Sequence, residues 1–217
     1  MIKGVIFDVD GTLLNTERIY MAAWKQAGKL AGYEIPDEVL LKTRAISSKV
    51  AHRIYKEAMG EDFNYMDLHA ERVRIAEAAI AQTDDLLMPG VADTLNWLKE
   101  KGIAMAVASS TVLEKTVSHL DHAKLLPYFD AVVGGDMVER GKPEPDIFLK
   151  AADMLGLQPG ECAVIEDSPA GIRAAYAAKM LPVLIPDCVP ENPETKAVSA
   201  VVLKSMEQLK AFLEQYI

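Results

Sequence analysis

Asp8 and Asp10 flank a single valine in VIFDVDGT, directly behind an apolar run. Glu166 and Asp167 sit side by side in VIEDS, again directly behind an apolar run. Ser109, Ser110 and Thr111 follow a third such run in AVASST, and Lys142 stands before a proline in GKPEPD. Four carboxylates gathered in one cleft stay ionised together only if a cation neutralises them. Oxygen donors without His or Cys favour Mg²⁺ over a transition metal. A lysine beside such a cluster neutralises an incoming anion, and hydroxyls with loop amides hydrogen-bond its oxygens. Magnesium, lysine and hydroxyl donors together point to chemistry on a phosphate group.

For one site to contain all of these residues, the apolar runs must be strands of a single sheet that end on a common edge. The runs at 3–7, 103–108, 131–133, 163–165, 181–185 and 200–203 are short and rich in Val, Ile, Leu and Ala, as buried strands are. From Pro89 onward they alternate with helical patterns, which implies a parallel sheet covered on both faces, with ligands bound beyond the carboxyl ends of the strands. Gly134-Gly135-Asp136 follow the 131–133 strand and join the list at that edge. If the first strand keeps its alternation, Asp8 and Asp10 face one side and Val9 the other. Helices are expected at 91–101, closed by Gly102, at 111–120, around Phe148, Ala151, Ala152 and Leu155, after the Ser168-Pro169 cap, and at the end along Met206, Leu209, Leu213 and Tyr216. Residues 15–87 read differently. Tyr20, Ala23, Trp24, Ala27 and Ala31 share one helix face, and 37–43, 47–59 and 66–82 are further helical pieces. The expected architecture is therefore a three-layer, Rossmann-like α/β core with a parallel sheet, made of 1–14 and 88–217, and an inserted α-helical cap domain, 15–87.

Composition narrows the partners. The net charge is −9 and no basic run stands out, so neither nucleic acid nor an anionic membrane is an expected partner. No apolar run reaches the roughly 20 residues of a membrane span, and the N-terminus lacks a signal-peptide pattern. The two cysteines, Cys162 and Cys188, read as reduced thiols of a cytoplasmic protein, expected to be a monomer. His52, His69, His119 and His122 share no ligand spacing, and Trp24 and Trp97 read as packing residues.

The same residues carry a family resemblance. DVDGT, the Ser109 of VASST, the Lys142 of GKPEPDIF and the Glu166-Asp167 of VIEDSPAGIRAA resemble, in order, the four signatures of the haloacid dehalogenase-like (HAD) phosphatase superfamily. The group resembled most is that of phosphoglycolate phosphatase, β-phosphoglucomutase and the sugar phosphatases, with a helical cap inserted after the first signature. The resemblance implies a Mg²⁺-dependent phosphatase acting on a small phosphorylated metabolite through an aspartyl-phosphate. Asp8 is then the nucleophile. Mg²⁺ is held by Asp8, by the Asp10 backbone carbonyl, by Asp167, and by Glu166 directly or through water. Lys142 bridges the nucleophile and the phosphoryl group, and Ser109, with Ser110 beside it, binds phosphoryl oxygens. An alkoxide leaving group needs a proton, which a carboxylic acid at position 10 can supply before acting as a base toward water. Arg18, Tyr20, Arg44, Lys49, His52 and Arg53 are the cap candidates for contact with the leaving group, chosen on polarity alone.

Three other readings compete. In a β-phosphoglucomutase-like phosphomutase the first cap helix carries a histidine where Tyr20 stands here, and its cap arginine motif has no clear match over 43–49. A dehalogenase expels halide and has no use for Asp10. A signalling receiver domain shares the phospho-accepting Asp, the metal and the Lys, but is shorter and uncapped.

Overall fold

The computed structural model describes residues 1–43, 48–188 and 190–217. They form two compact units, Met1–Asn15 with Asp85–Ile217, and Thr16–Asp84.

The first unit is built on a six-stranded sheet. Its strands are β1 (Gly4–Phe7), β2 (Ala104–Ala108), β3 (Ala131–Val133), β4 (Cys162–Glu166), β5 (Leu181–Leu184) and β6 (Val201–Val202). The order across the sheet is β3-β2-β1-β4-β5-β6, and every pairing is parallel. The order reverses at β1, so the crevice between the carboxyl ends of β1 and β4 is the switch point where ligands bind in open α/β sheets. Phe7 pairs with Ile165 there, which brings the residues just beyond them side by side. Val5, Ile6, Phe7, Ala106, Val107, Ala163, Val164 and Ile165 are fully buried, because helices cover both faces of the sheet. On one face α7 (Asp146–Met154) and α8 (Pro169–Ala177) bury Ile147, Phe148, Ala151, Ala174 and Ala175 against Ile6, Ala106, Ala108 and Val164. The unit also contains α5 (Val91–Glu100), α6 (Leu113–His122), α9 (Pro193–Val198) and α10 (Leu209–Leu213).

The second unit is all helical: α1 (Thr16–Leu30), α2 (Asp37–Lys42), α3 (Ser48–Met59) and α4 (Tyr65–Ala81). Its core is aromatic. Trp24 stacks on Tyr55 at 4.7 Å between ring centroids, Tyr55 stacks on Phe63 at 5.4 Å, and Leu40, Leu68 and Ile35 close the cluster. No helix among the described residues is long and apolar enough to cross a membrane.

Three details depart from the sequence expectation. β1 ends at Phe7, so strand alternation does not orient Asp10: the Val9 carbonyl accepts the amides of Thr12, Leu13 and Leu14, and the chain turns at once. The helix expected from 111 begins at Leu113, which leaves Ser109, Ser110 and Thr111 in an open loop. The last helix is shorter than its apolar pattern, a 3₁₀ turn at Met206–Gln208 followed by α10, with Tyr216 beyond its end.

Candidate active site

Asp8 is the first residue past β1, and its amide still donates to the Ile165 carbonyl of β4 at 3.0 Å. Glu166 is the last residue of β4, with Asp167 next to it. One carboxylate oxygen from each of Asp8, Glu166 and Asp167 lies within 4.8 Å of the others, and all three residues are buried. Gly11 makes this approach possible. It sits at φ +86°, and a Cβ there would lie 2.6 Å from Asp167 Oδ2.

Lys142, on the loop before α7, points its Nζ into the cluster. It donates to Asp8 Oδ1 at 2.5 Å, to Glu166 Oε1 at 2.6 Å and to the Ala108 carbonyl at 3.1 Å. Burial pushes the Asp8 carboxyl up to about 8 against the pull of Lys142, with Glu166 and Asp10 adding to the rise. Burial also works against the Lys142 ammonium, but the Asp8 and Glu166 carboxylates outweigh it and raise its pKa. One ammonium among three buried carboxylates leaves an excess of negative charge. The all-oxygen donor set and that excess fit a hard divalent cation such as Mg²⁺.

Glu166 is held on three sides. Its Oε2 accepts from the Ser168 amide and the Ser168 hydroxyl, both at 2.8 Å, while Oε1 takes Lys142. The Ser168 hydroxyl in turn accepts from the Gly171 amide at 3.1 Å as the N-cap of α8. Gly171 is the floor beneath this carboxylate: a Cβ there would fall 1.8 Å from Glu166 Oε1. Gly171→Ala must therefore displace Glu166, and Lys142 with it. Turnover is expected to fall about tenfold or more and stability by about 1–3 kcal/mol, as in overpacked sites. Steady-state rates and a thermal melt check this, and wild-type turnover in the variant would contradict it.

Ser109 is buried at the end of β2, where its amide donates to the Val133 carbonyl at 3.0 Å and its hydroxyl accepts from the Thr111 amide at 3.0 Å. Ser110 is exposed. The Asp10 side chain is not part of the Asp8–Glu166–Asp167 group; its Oδ2 accepts from the Thr111 hydroxyl at 3.2 Å. Asp136 serves the loop from behind, with its Oδ1 accepting the Leu113 amide at the start of α6 at 2.7 Å. Asp187, beyond β5, escaped the sequence reading, yet its Oδ2 would lie 3.4 Å from a Cβ on Gly11. The rule that found the other acids, inspection of the first carboxylates past each strand, would have found it too.

The helical unit holds the remaining candidates. The Arg72 guanidinium lies 4.3 Å over the Tyr20 ring, and His52 stacks on Tyr65 at 5.1 Å between centroids. Arg18 is exposed on α1, and Arg53 is exposed and 3.8 Å from Glu57. Arg44 lies outside the described residues, as does the Lys49 side chain. Cys162 and Cys188 are free thiols, and burial pushes Cys162 up to about 11.

A doubly covered parallel sheet in 3-2-1-4-5-6 order, with a buried acid–lysine cluster at its switch point and a helical insert after the first strand, defines a Rossmann-like α/β hydrolase of the capped kind. A family model described as haloacid dehalogenase-like hydrolase matches residues 2–179. The chain belongs to that family. It is 32% identical over 209 residues to hexitol phosphatase A of Escherichia coli strain K12, covering 95% of this chain and 93% of that one. It is 31% identical over 181 residues to a phosphorylated carbohydrates phosphatase of Thermotoga maritima, covering 81% of each. A β-phosphoglucomutase crystal structure from Clostridium difficile superposes with a TM-score of 0.82 at 25% identity, over 100% of this chain and 97% of that one.

Proposed function

We propose that this hydrolase is a Mg²⁺-dependent phosphatase that cleaves a small phosphorylated metabolite, of the sugar-phosphate kind, through an aspartyl-phosphate on Asp8. The observation that carries the reading is the Lys142 ammonium bridging Asp8 Oδ1 and Glu166 Oε1 at the switch point of the sheet. A carboxylate oxygen so placed, beside a fixed cation, can attack phosphorus while the ammonium takes up charge from the equatorial oxygens. Asp8, Glu166, Asp167 and the Asp10 backbone carbonyl would hold Mg²⁺, which would supply further charge neutralisation when bound. The Ser109 and Ser110 side chains would donate to phosphoryl oxygens. Asp10 gives its proton to the leaving alkoxide, then takes one from the water that hydrolyses Asp8 free. The helical insert would contact the leaving group, with Tyr20, Arg44, Lys49 and His52 the candidates. The phosphatase relatives, at 32% and 31% identity, support this reading, and so does the presence of Asp10, which a dehalogenase does not need.

A phosphate-release screen over sugar phosphates, phosphoglycolate and nucleoside monophosphates with Mg²⁺, using Asp8→Asn as the blank, tests the proposal. Isomerisation of β-glucose 1-phosphate without free phosphate would assign the chain to the mutases instead. Asp10→Asn is expected to keep Mg²⁺ binding, read by calorimetry, and to lose about 10²–10⁴-fold in turnover. Normal turnover in that variant would remove Asp10 from the mechanism.

A further inference from the structure

Thr111 is held at every polar atom it has. Its amide donates to Ser109 Oγ at 3.0 Å, and its carbonyl accepts from the Gly135 amide at 2.8 Å and from Thr116 Oγ1 at 3.3 Å. Its hydroxyl crosses to the loop after β1 and donates to Asp10 Oδ2 at 3.2 Å. The loop after β3 acts as the brace. A Cβ on Gly135 would meet the Ser110 carbonyl oxygen at 2.4 Å, and one on Gly134 would meet the Leu113 amide nitrogen at 2.2 Å. Only glycines allow so close an approach, so the Gly134-Gly135 pair fixes where residue 111 stands.

We propose that Thr111 is the positioning residue for the acid–base carboxylate of Asp10, an inference that rests on the phosphatase reading above. The carboxyl torsion of an aspartate is broad and roughly two-fold, so an acid on a tight turn has no fixed aim of its own. A hydroxyl that donates to Oδ2 sets that torsion and reserves Oδ2 as an acceptor, which leaves the transferable proton on Oδ1. In the first step the Asp8–phosphorus bond forms, the bond from phosphorus to the leaving oxygen breaks, and that oxygen takes the Asp10 proton. In the second step water attacks phosphorus, its proton returns to Asp10, and the Asp8–phosphorus bond breaks. Both transfers depend on the angle at which Thr111 holds the carboxyl.

A merely structural role and this one part company over the leaving group. Thr111→Val keeps the shape and removes the hydroxyl; Thr111→Ser keeps the hydroxyl. With fructose 1-phosphate, whose alkoxide needs a proton, kcat/KM of the Val variant is expected to fall about tenfold or more. With 4-nitrophenyl phosphate, whose phenolate leaves unprotonated, it is expected to stay within about twofold, which also certifies the fold; the Ser variant stays within about threefold on both. Equal losses on the two esters, or no loss on fructose 1-phosphate, would overturn the assignment. If the wild type leaves fructose 1-phosphate intact, the best alkyl phosphate of the screen takes its place, and release of phosphate from no ester of the screen would sink the phosphatase reading itself.

Discussion

Asp8→Asn is expected to abolish turnover, by about 10⁴-fold or more, and to leave the chain folded. Asn keeps an oxygen that can accept from Lys142 in place of Asp8 Oδ1, so the bridge to Glu166 can persist. What would be lost is the anionic carboxylate oxygen, for which the neutral amide oxygen is too weak a nucleophile to substitute. The same change has a second consequence, in stability. Burial raises the Asp8 carboxyl from 3.8 to about 8. The folded chain therefore holds this proton where the unfolded chain has released it. Stability conferred by the protonated form is full below the unfolded value and is lost as pH rises from about 4 through about 8. Asp8→Asn has no proton to lose, so without divalent cation it should melt above the wild type near pH 8, and the gap should close on acidification. Paired melts at about pH 5 and pH 8 in chelator, set beside phosphate release from the best substrate of the screen, make the check. Residual turnover above about a hundredth of wild type would take the nucleophile's role from Asp8.

The site was legible in the sequence wherever its chemistry lies directly past a buried strand. Asp8, Ser109, Glu166 and Asp167 each stand within a residue of a strand end, and a parallel sheet can only bring such ends to one edge. Lys142 lies farther from its strand, and only the company of the acids gave it meaning. What stayed hidden is whatever depends on two loops touching. The Thr111–Asp10 bond joins residues 101 apart, and no local pattern encodes it. Gly171 reads as an ordinary small residue on a helix until the Glu166 carboxylate is found lying where its Cβ would be. Gly134-Gly135 reads as a turn until the neighbouring loop is found against it. In the helical insert, period and polarity were enough to find the helices but not to sort their side chains. His52 belongs to a stack with Tyr65, and Tyr20 carries a guanidinium, both settled by packing across helices. The turn after Phe7 was misjudged for a related reason: the pattern of alternation continues through Asp10, while the hydrogen bonds to Val9 stop the strand.

Removal of the divalent cation should silence the enzyme nearly as thoroughly as loss of the nucleophile. The Asp8, Glu166 and Asp167 oxygens lie within 4.8 Å of one another. At that spacing and an effective dielectric of about 20, each pair ionised together costs about 3 kcal/mol, which adds to the burial that keeps Asp8 protonated below about pH 8 when the cation is absent. Lys142 cannot offset this alone, because its ammonium is already divided between Asp8 and Glu166. A phosphate dianion approaching the bare cluster meets net negative charge, so chelation should lower activity by about 10³-fold or more, with recovery on adding Mg²⁺. Asp167 is the acid on which to separate binding from chemistry, since the Lys142 ammonium bridges Asp8 and Glu166 and the Ser168 hydroxyl donates to Glu166. Asp167→Asn should raise the Mg²⁺ concentration needed for half-maximal activity about tenfold or more, and it should do so without disturbing the Lys142 bridge. Titration of activity against Mg²⁺ reads the shift directly. Full activity in excess chelator would mean that the three carboxylates are neutralised by protons rather than by a metal, and that the phosphate meets a different source of positive charge; an unchanged Mg²⁺ requirement in Asp167→Asn would take Asp167 out of the metal site.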